Sequence, residues 1–215
     1  SARMKLVHLL AAEGRKRELL AELLNLQVEA GMDAPIQKTL GHLFLVADSP
    51  SRAADAYRAM IDRDPKDTAA YAGLGEAELE RGQYRNARAA FLEALHYTPR
   101  DESLRRRVDL SNTLTELDPT PRRLASMEKY RRSVHILQLA YDDLNACIAK
   151  HPGTPPAETA QLLSTAHDAL ANKPPSNATN ELSEGVLGIA EKAWPARVAA
   201  CGTSFSPEEE PLRLI

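Results

Sequence analysis

The chain has 215 residues, 43% hydrophobic and 27% charged, with a net charge of −3. That length suits one ordinary domain or two small ones, and the composition excludes wholesale disorder. No apolar run approaches the roughly 18 to 20 residues of a membrane-spanning helix, so no membrane insertion by this segment is expected, and near-neutral charge gives no support for nucleic-acid binding.

Ser1-Ala2-Arg3 lacks an initiating Met. The expectation is a truncated N-terminus that has lost a targeting segment or anchor, which leaves the compartment open. From there a repeat of 34 residues runs through the first half. Residues 34–67 and 68–101 align without gaps: Leu40-Gly41 returns as Leu74-Gly75, Ala53 as Ala87, Tyr57 as Phe91 and Pro65 as Pro99. One period earlier, Gly14 falls opposite Asp48 and Gly82, where each helix pair should turn, and Leu19, Leu23 and Leu26 fall opposite Ala53, Tyr57 and Met60. Three helix-turn-helix units are predicted. Small Gly41, Gly75, Ala53 and Ala87 let paired helices approach, Tyr57 and Phe91 fill the space between pairs, and Pro65 and Pro99 stop each second helix.

Read as an aromatic, Leu-Gly, Ala, Phe, Ala, Pro series, Tyr71, Leu74, Gly75, Ala87, Phe91, Ala94 and Pro99 resemble the tetratricopeptide repeats, with Glu78 in place of the usual Tyr. The preceding unit keeps Leu40, Gly41, Phe44, Ala53, Tyr57 and Pro65 but has Gln37 for the aromatic. The resemblance covers residues 1–101, weakening toward the N-terminus.

The next step of 34 fails. Residues 101–117 read as a helix with Leu104, Val108, Leu110 and Leu114 on its apolar side, but Val108-Asp109 takes the Leu-Gly slot and Pro121 the Ala slot. This helix is expected to cap the solenoid, because a terminal unit exchanges apolar surface for polar. Ten of the fourteen prolines lie at 119 or later. Residues 122–150 form one helix roughly 40 Å long at ~1.5 Å per residue, with a stripe of Tyr130, Val134, Leu137, Tyr141, Leu144 and Ile148, ended by His151-Pro152-Gly153. Two readings stand: the core of an intramolecular bundle, which is preferred, or a coiled-coil seam joining two chains. Pro155-Pro156 opens a shorter helix, and Thr179 to Cys201 reads as another, kinked or broken at Pro195. Ser206-Pro207-Glu208 has the form of a helix start. The fold expected is therefore all-α: a TPR-type helix-turn-helix solenoid over 1–117, then a C-terminal helical bundle over 118–215.

No constellation for chemistry emerges. His8, His42, His96, His135, His151 and His167 are scattered and none forms HExxH, so no metal is expected. Neither GxxxxGK[ST] nor GxGxxG occurs; Gly73-Leu74-Gly75 sits within a helix and serves packing. Nucleophilic catalysis has no support, and no cofactor is expected. Asp142-Asp143 and Glu208–Glu210 read as solvated faces. Cys147 and Cys201 lie near the ends of helices expected to be neighbours; buried thiols are the preferred reading, a disulfide the alternative in an oxidising compartment. Asn177-Ala178-Thr179 matches a glycosylation sequon. Arg105–Arg107, Arg122-Arg123 and Arg131-Arg132, interspersed with acids, read as a mixed-charge surface or as a dock for an acidic segment such as the Glu208–Glu210 tail.

The resemblance implies a non-enzymatic protein-protein interaction scaffold or adaptor that binds another protein or peptide segment in a concave groove lined by first helices. The groove residues would be Lys38, His42, Leu45, Ala69, Ala72, Glu76, Leu79 and Arg106. Family members that bind chaperone tails clamp a carboxylate with a Lys and Asn set; His42, Gly73 and Ala72 stand at those places here, which removes that clamp. Two alternatives are a homodimer, as a structural module joined through 122–150, and the soluble part of a membrane-attached bacterial assembly factor.

Overall fold

The computed structural model describes residues 2–30, 34–150, 155–202 and 210–215. Among these residues all regular structure is helical, with no strand, as the helix-period patterning requires. The chain divides into two units, Ser1–Asn112 and Thr113–Ile215.

The first unit is built from α1 (Ala2–Ala12), α2 (Lys16–Ala30), α3 (Ala34–Val46), α4 (Pro50–Arg63), α5 (Thr68–Glu80), α6 (Tyr84–Tyr97) and the greater part of α7 (Glu102–Leu117). Each helix from α1 to α5 packs on its successor, and α3 also touches α5. The 34-residue period reappears in the backbone. Gly14, Asp48 and Gly82, one period apart, all have positive φ (68°, 59° and 67°) and all sit where one helix of a pair turns into the next. Glycine adopts this left-handed conformation freely, and Asp is among the few other residues that tolerate it. Asp67 and Asp101, also one period apart, cap the helices that follow them. Asp67 accepts from the Ala70 amide at 2.9 Å, and Asp101 from the Ser103 and Leu104 amides at 2.8 and 3.2 Å.

Interhelix distance in this unit is set by glycines facing rings. A Cβ on Gly41 would lie 2.7 Å from the Tyr57 ring, on Gly73 2.3 Å from the same ring, and on Gly75 2.4 Å from Phe91. Tyr57 of α4 thus wedges against α3 and α5 together, and Gly73 serves packing as its place in a helix suggested. The core includes Leu19, Leu23, Leu40, Phe44, Ala53 and Tyr57. Glu78 takes the place one period after Phe44 and is equally buried, 1% exposed. Its carboxylate meets Arg58 of α4 and accepts from Arg81 Nη1 at 2.9 and 2.8 Å, so an ion-paired cluster replaces an aromatic.

The second unit contains the last turn of α7, α8 (Ser126–Lys150), α9 (Ala157–Ala171), α10 (Asn180–Cys201) and the short α11 (Glu210–Leu214). Its boundary falls five residues before the break at 117/118 expected from sequence, because Leu117 belongs to this unit's core and Arg132 donates to the Thr115 and Asp118 carbonyls at 2.9 Å each. α8 begins at Ser126, four residues later than expected. Residues 122–125 form a turn closed by the Leu124 amide on the Pro121 carbonyl at 3.1 Å. The expected stop at His151–Gly153 and the helix start at Ser206–Glu208 lie outside the described residues.

α8 packs along α10, and α9 packs on both. The stripe of α8 is therefore used inside the unit, as in the bundle reading, with its centre shifted from the one expected. Tyr130, Leu137 and Leu144 are buried, whereas Val134, Tyr141 and Ile148 are only half-buried. The other deep positions are Ile136 and, spaced by seven, Ser133, Ala140 and Cys147; the buried positions of α10, which packs along α8, include Ser183, Ala190 and Ala193. Small residues on both helices permit close packing. α10 runs unbroken through Pro195, so the helix is not broken there, and the proline lies on its exposed side.

Two further expectations are corrected here. Cys147 and Cys201 are joined in a disulfide, with Cα atoms 6.2 Å apart, instead of being separate buried thiols; helix packing brings residues 54 apart in sequence within bonding reach. Asp143 is no solvated acid. Its side chain is 13% exposed and sits 3.5 Å from Arg197 Nε, while its neighbour Asp142 points outward and accepts from Gln138. The Arg197 guanidinium also donates to the Gly202 carbonyl at 2.8 Å and lies 5.6 Å from the Trp194 ring centre, so one buried cation links both helices beside the disulfide.

Candidate functional site: the face of α3, α5 and α7

Lys38, His42 and Leu45 fall on one face of α3, at helical steps of four and three, and Ala69, Ala72, Glu76 and Leu79 follow the same rule on α5. Lys38, His42 and Ala69 are exposed, and Ala72 and Glu76 half-buried. The opposite faces hold Leu40, Gly41 and Phe44 on α3 and Ala70, Gly75 and Ala77 on α5, all buried. Arg106 of α7 is exposed.

Two of the expected residues stand elsewhere. Leu79 is 2% exposed. It lies in the last turn of α5, where the chain reverses through Gly82 onto α6, so it belongs to the interior and offers a partner no surface. Leu45 is half-buried against the core of the unit and contributes only an edge. Tyr71 is half-buried and stacks on Tyr97 with ring centres 6.4 Å apart.

Glu76 pairs with Arg107 Nε at 2.7 Å, tying α5 to α7 across this face. Burial, aided by the Glu76 carboxylate, pushes the Tyr57 phenol above its ordinary range, which keeps it a neutral donor near the face. From its place in the repeat Tyr57 has a packing role only. Gly73, two residues before Gly75, was the available signal that one ring would set the α3–α5 spacing. Positive charge on the face thus comes from Lys38 and Arg106, while Glu76 is occupied by its own pair.

The arginine-rich segments are mostly internally compensated. Arg105 pairs with Glu102 at 2.5 Å, and Arg132 with Glu128 at 3.0 Å. Of the acidic tail, Glu208 and Glu209 lie outside the described residues, and Glu210 pairs with Arg213 at 4.0 Å. Among the described residues no three His, Cys, Asp or Glu side chains gather as a metal set, and no helix is long and apolar enough to cross a membrane.

No curated protein matches the chain. The family model of the tetratricopeptide repeat matches residues 38–102, from Lys38 in α3 to Glu102 at the start of α7. Repeats of this family generally mediate protein–protein interaction. The matched segment carries the glycine–ring contacts, the left-handed turns at Asp48 and Gly82 and the caps at Asp67 and Asp101, and over these residues the chain is similar to the tetratricopeptide repeat.

Proposed function

We propose that the chain is a non-enzymatic interaction scaffold that holds a segment of a partner protein along the face of α3, α5 and α7. The observation that carries this reading is the contrast on those helices: Lys38, His42, Ala69 and Arg106 are open to solvent while the opposite faces are buried. Small Ala69 and Ala72 leave room between the charged positions, and Lys38 and Arg106 suit a segment with acidic or polar groups over a purely apolar one. The test is pull-down with the intact chain, then calorimetry with the partner recovered. Lys38→Glu combined with Arg106→Glu should weaken binding by at least about tenfold while lowering stability by no more than about 1 kcal/mol. Unchanged affinity in that double variant, with binding lost when Tyr130 or Tyr141 is altered, would move the interaction to the second unit.

A second reading, the soluble part of an envelope assembly factor, has one supporting observation, the Cys147–Cys201 bond. Disulfides form and persist in oxidising compartments and are rare in a reducing cytosol. Thiol alkylation in intact cells with a membrane-permeant reagent tests it, because free alkylation of both cysteines there would argue against an oxidising location.

A further inference from the structure

Tyr57 occupies, one repeat earlier, the place that Phe91 holds. Packing at that place needs only a ring, so the Tyr57 hydroxyl is an addition that helix spacing does not require. Its position follows from the glycines beside it. A Cβ on Gly41 would meet Cζ of the ring at 2.7 Å and both Cε atoms at 2.9 Å, and the same three atoms are the nearest to a Cβ on Gly73. The hydroxyl end of the ring therefore lies between α3 and α5. The ring enters from α4, so the hydroxyl, one bond beyond Cζ, is the part carried toward the side away from α4. That side holds the exposed Lys38 and His42 of α3 and the half-buried Ala72 and Glu76 of α5.

The fold does not use this hydroxyl. Tyr57 is 6% exposed, and its hydroxyl forms no hydrogen bond among the described residues and is not closed off from solvent. A phenol in this state is a donor open to a ligand. Its surroundings restrict the acceptor. Burial, and after it the Glu76 carboxylate, raise the phenol's titration, so negative potential reaches the hydroxyl. A second carboxylate would meet that field, whereas a neutral carbonyl accepts the bond without it. The surface around the ring is also low. Gly41 and Gly73 carry no side chain and Ala72 only a methyl, so a main chain can approach closely.

We propose that the Tyr57 hydroxyl is a specificity-determining contact of the partner face, donating a hydrogen bond to a main-chain carbonyl of an extended segment that crosses α3 and α5. This contact belongs to the face proposed above and rests on that reading. Lys38 and Arg106 select charge along the segment, and Tyr57 fixes where its main chain lies.

The probes are end-blocked dodecapeptides selected from a random phage-displayed library on the immobilised full chain. At least one should lose about tenfold in affinity for the chain carrying Lys38→Glu with Arg106→Glu. In calorimetry that peptide should bind Tyr57→Phe about three- to tenfold more weakly than the parent, the span of one neutral hydrogen bond. The Tm of free Tyr57→Phe should equal the parent's, because the ring stays and the hydroxyl bonds nothing in the fold. Replacing the peptide's amides singly by esters weakens each carbonyl as an acceptor. One position should matter for the parent and no longer matter for Tyr57→Phe. Tyr97→Phe, a hydroxyl on α6 away from this face, should leave affinity unaltered. A peptide weakened by the double variant but bound equally by the parent and Tyr57→Phe would overturn this contact and leave the partner face standing. An empty selection, or peptides that bind all three chains alike, would remove the face and the contact with it. The contact is also overturned if the dependence on Tyr57 follows an Asn, Gln, Asp or Glu side chain of the peptide while no ester position responds.

Discussion

In the first unit, helices are drawn together by side chains that are missing: Gly41 and Gly73 accept the Tyr57 ring and Gly75 accepts Phe91. In the second, α8 and α10 are held by groups that reach across, the Cys147–Cys201 bond and the Arg197–Asp143 pair, over a seam of small residues. A glycine–ring contact is local to one helix pair and its neighbour, so it can be repeated every 34 residues. A cross-link between residues 54 apart fastens one place and has no period. The first arrangement makes an extendable stack, whereas the second makes a closed bundle.

The difference predicts where each unit breaks. The largest effect should come from Phe91→Ala, which empties a fully buried ring position and should cost about 3 to 5 kcal/mol in denaturant unfolding. Gly75→Ala, whose added Cβ would meet the same ring at 2.4 Å, should cost about 1 to 3 kcal/mol through overpacking. Combining it with Phe91→Leu should cost less than the sum of the two, because they share one contact. Equal midpoints for the parent and both single variants would mean that the rings do not set helix spacing.

Opening the disulfide, by a reductant or by Cys147→Ser with Cys201→Ser, should remove about 2 to 4 kcal/mol from the second unit, because it frees a long loop in the unfolded chain. The first unit has no cysteine, and its unfolding should not move. A biphasic melt in which only one phase shifts would sharpen the comparison, and a uniform shift would break it.

The Glu78 cluster is the first unit's exception, a charged contact where its neighbour repeat uses Phe44. Glu78→Gln should cost about 1 to 3 kcal/mol, since Arg58 and Arg81 lose the charge they share. The smallest effects concern the caps. Asp67→Ala should cost about 1 kcal/mol. At Asp101, bonds from the Ser103 hydroxyl and the Leu104 amide hold the carboxyl below its ordinary value. A carboxyl depressed in the folded state adds stability above its unfolded value of about 3.9, and that stability is lost as pH falls through the lower folded value. Asp101→Asn should therefore weaken α7 at neutral pH and make little difference in strong acid, which hydrogen exchange of the Ser103 and Leu104 amides would report.

Much of the first unit was legible because each signal is local. Leu-Gly, the ring and the proline recur at one spacing, and a positive-φ position repeated at 14, 48 and 82 needs only a residue that tolerates it. The candidate face was less legible. Lys38, His42, Ala69 and Arg106 follow from helical spacing, but Leu79 satisfies the same spacing and is buried, because the turn at Gly82 brings α6 back beside it. The spacing fixes direction around a helix axis and says nothing of what covers the helix end.

The sequence by itself determined the helices, their 34-residue period, the small-residue and ring pairing, and the end of α7 at Leu117, since these depend on neighbours within one or two turns or one repeat. Only the tertiary structure decided that Ser133, Ala140 and Cys147 lie in α8's seam, that the two cysteines bond, and that Asp143 serves Arg197. Those partners lie about 50 residues apart, where helical periodicity admits a neighbouring stripe equally well and only close packing of α8 on α10 selects one.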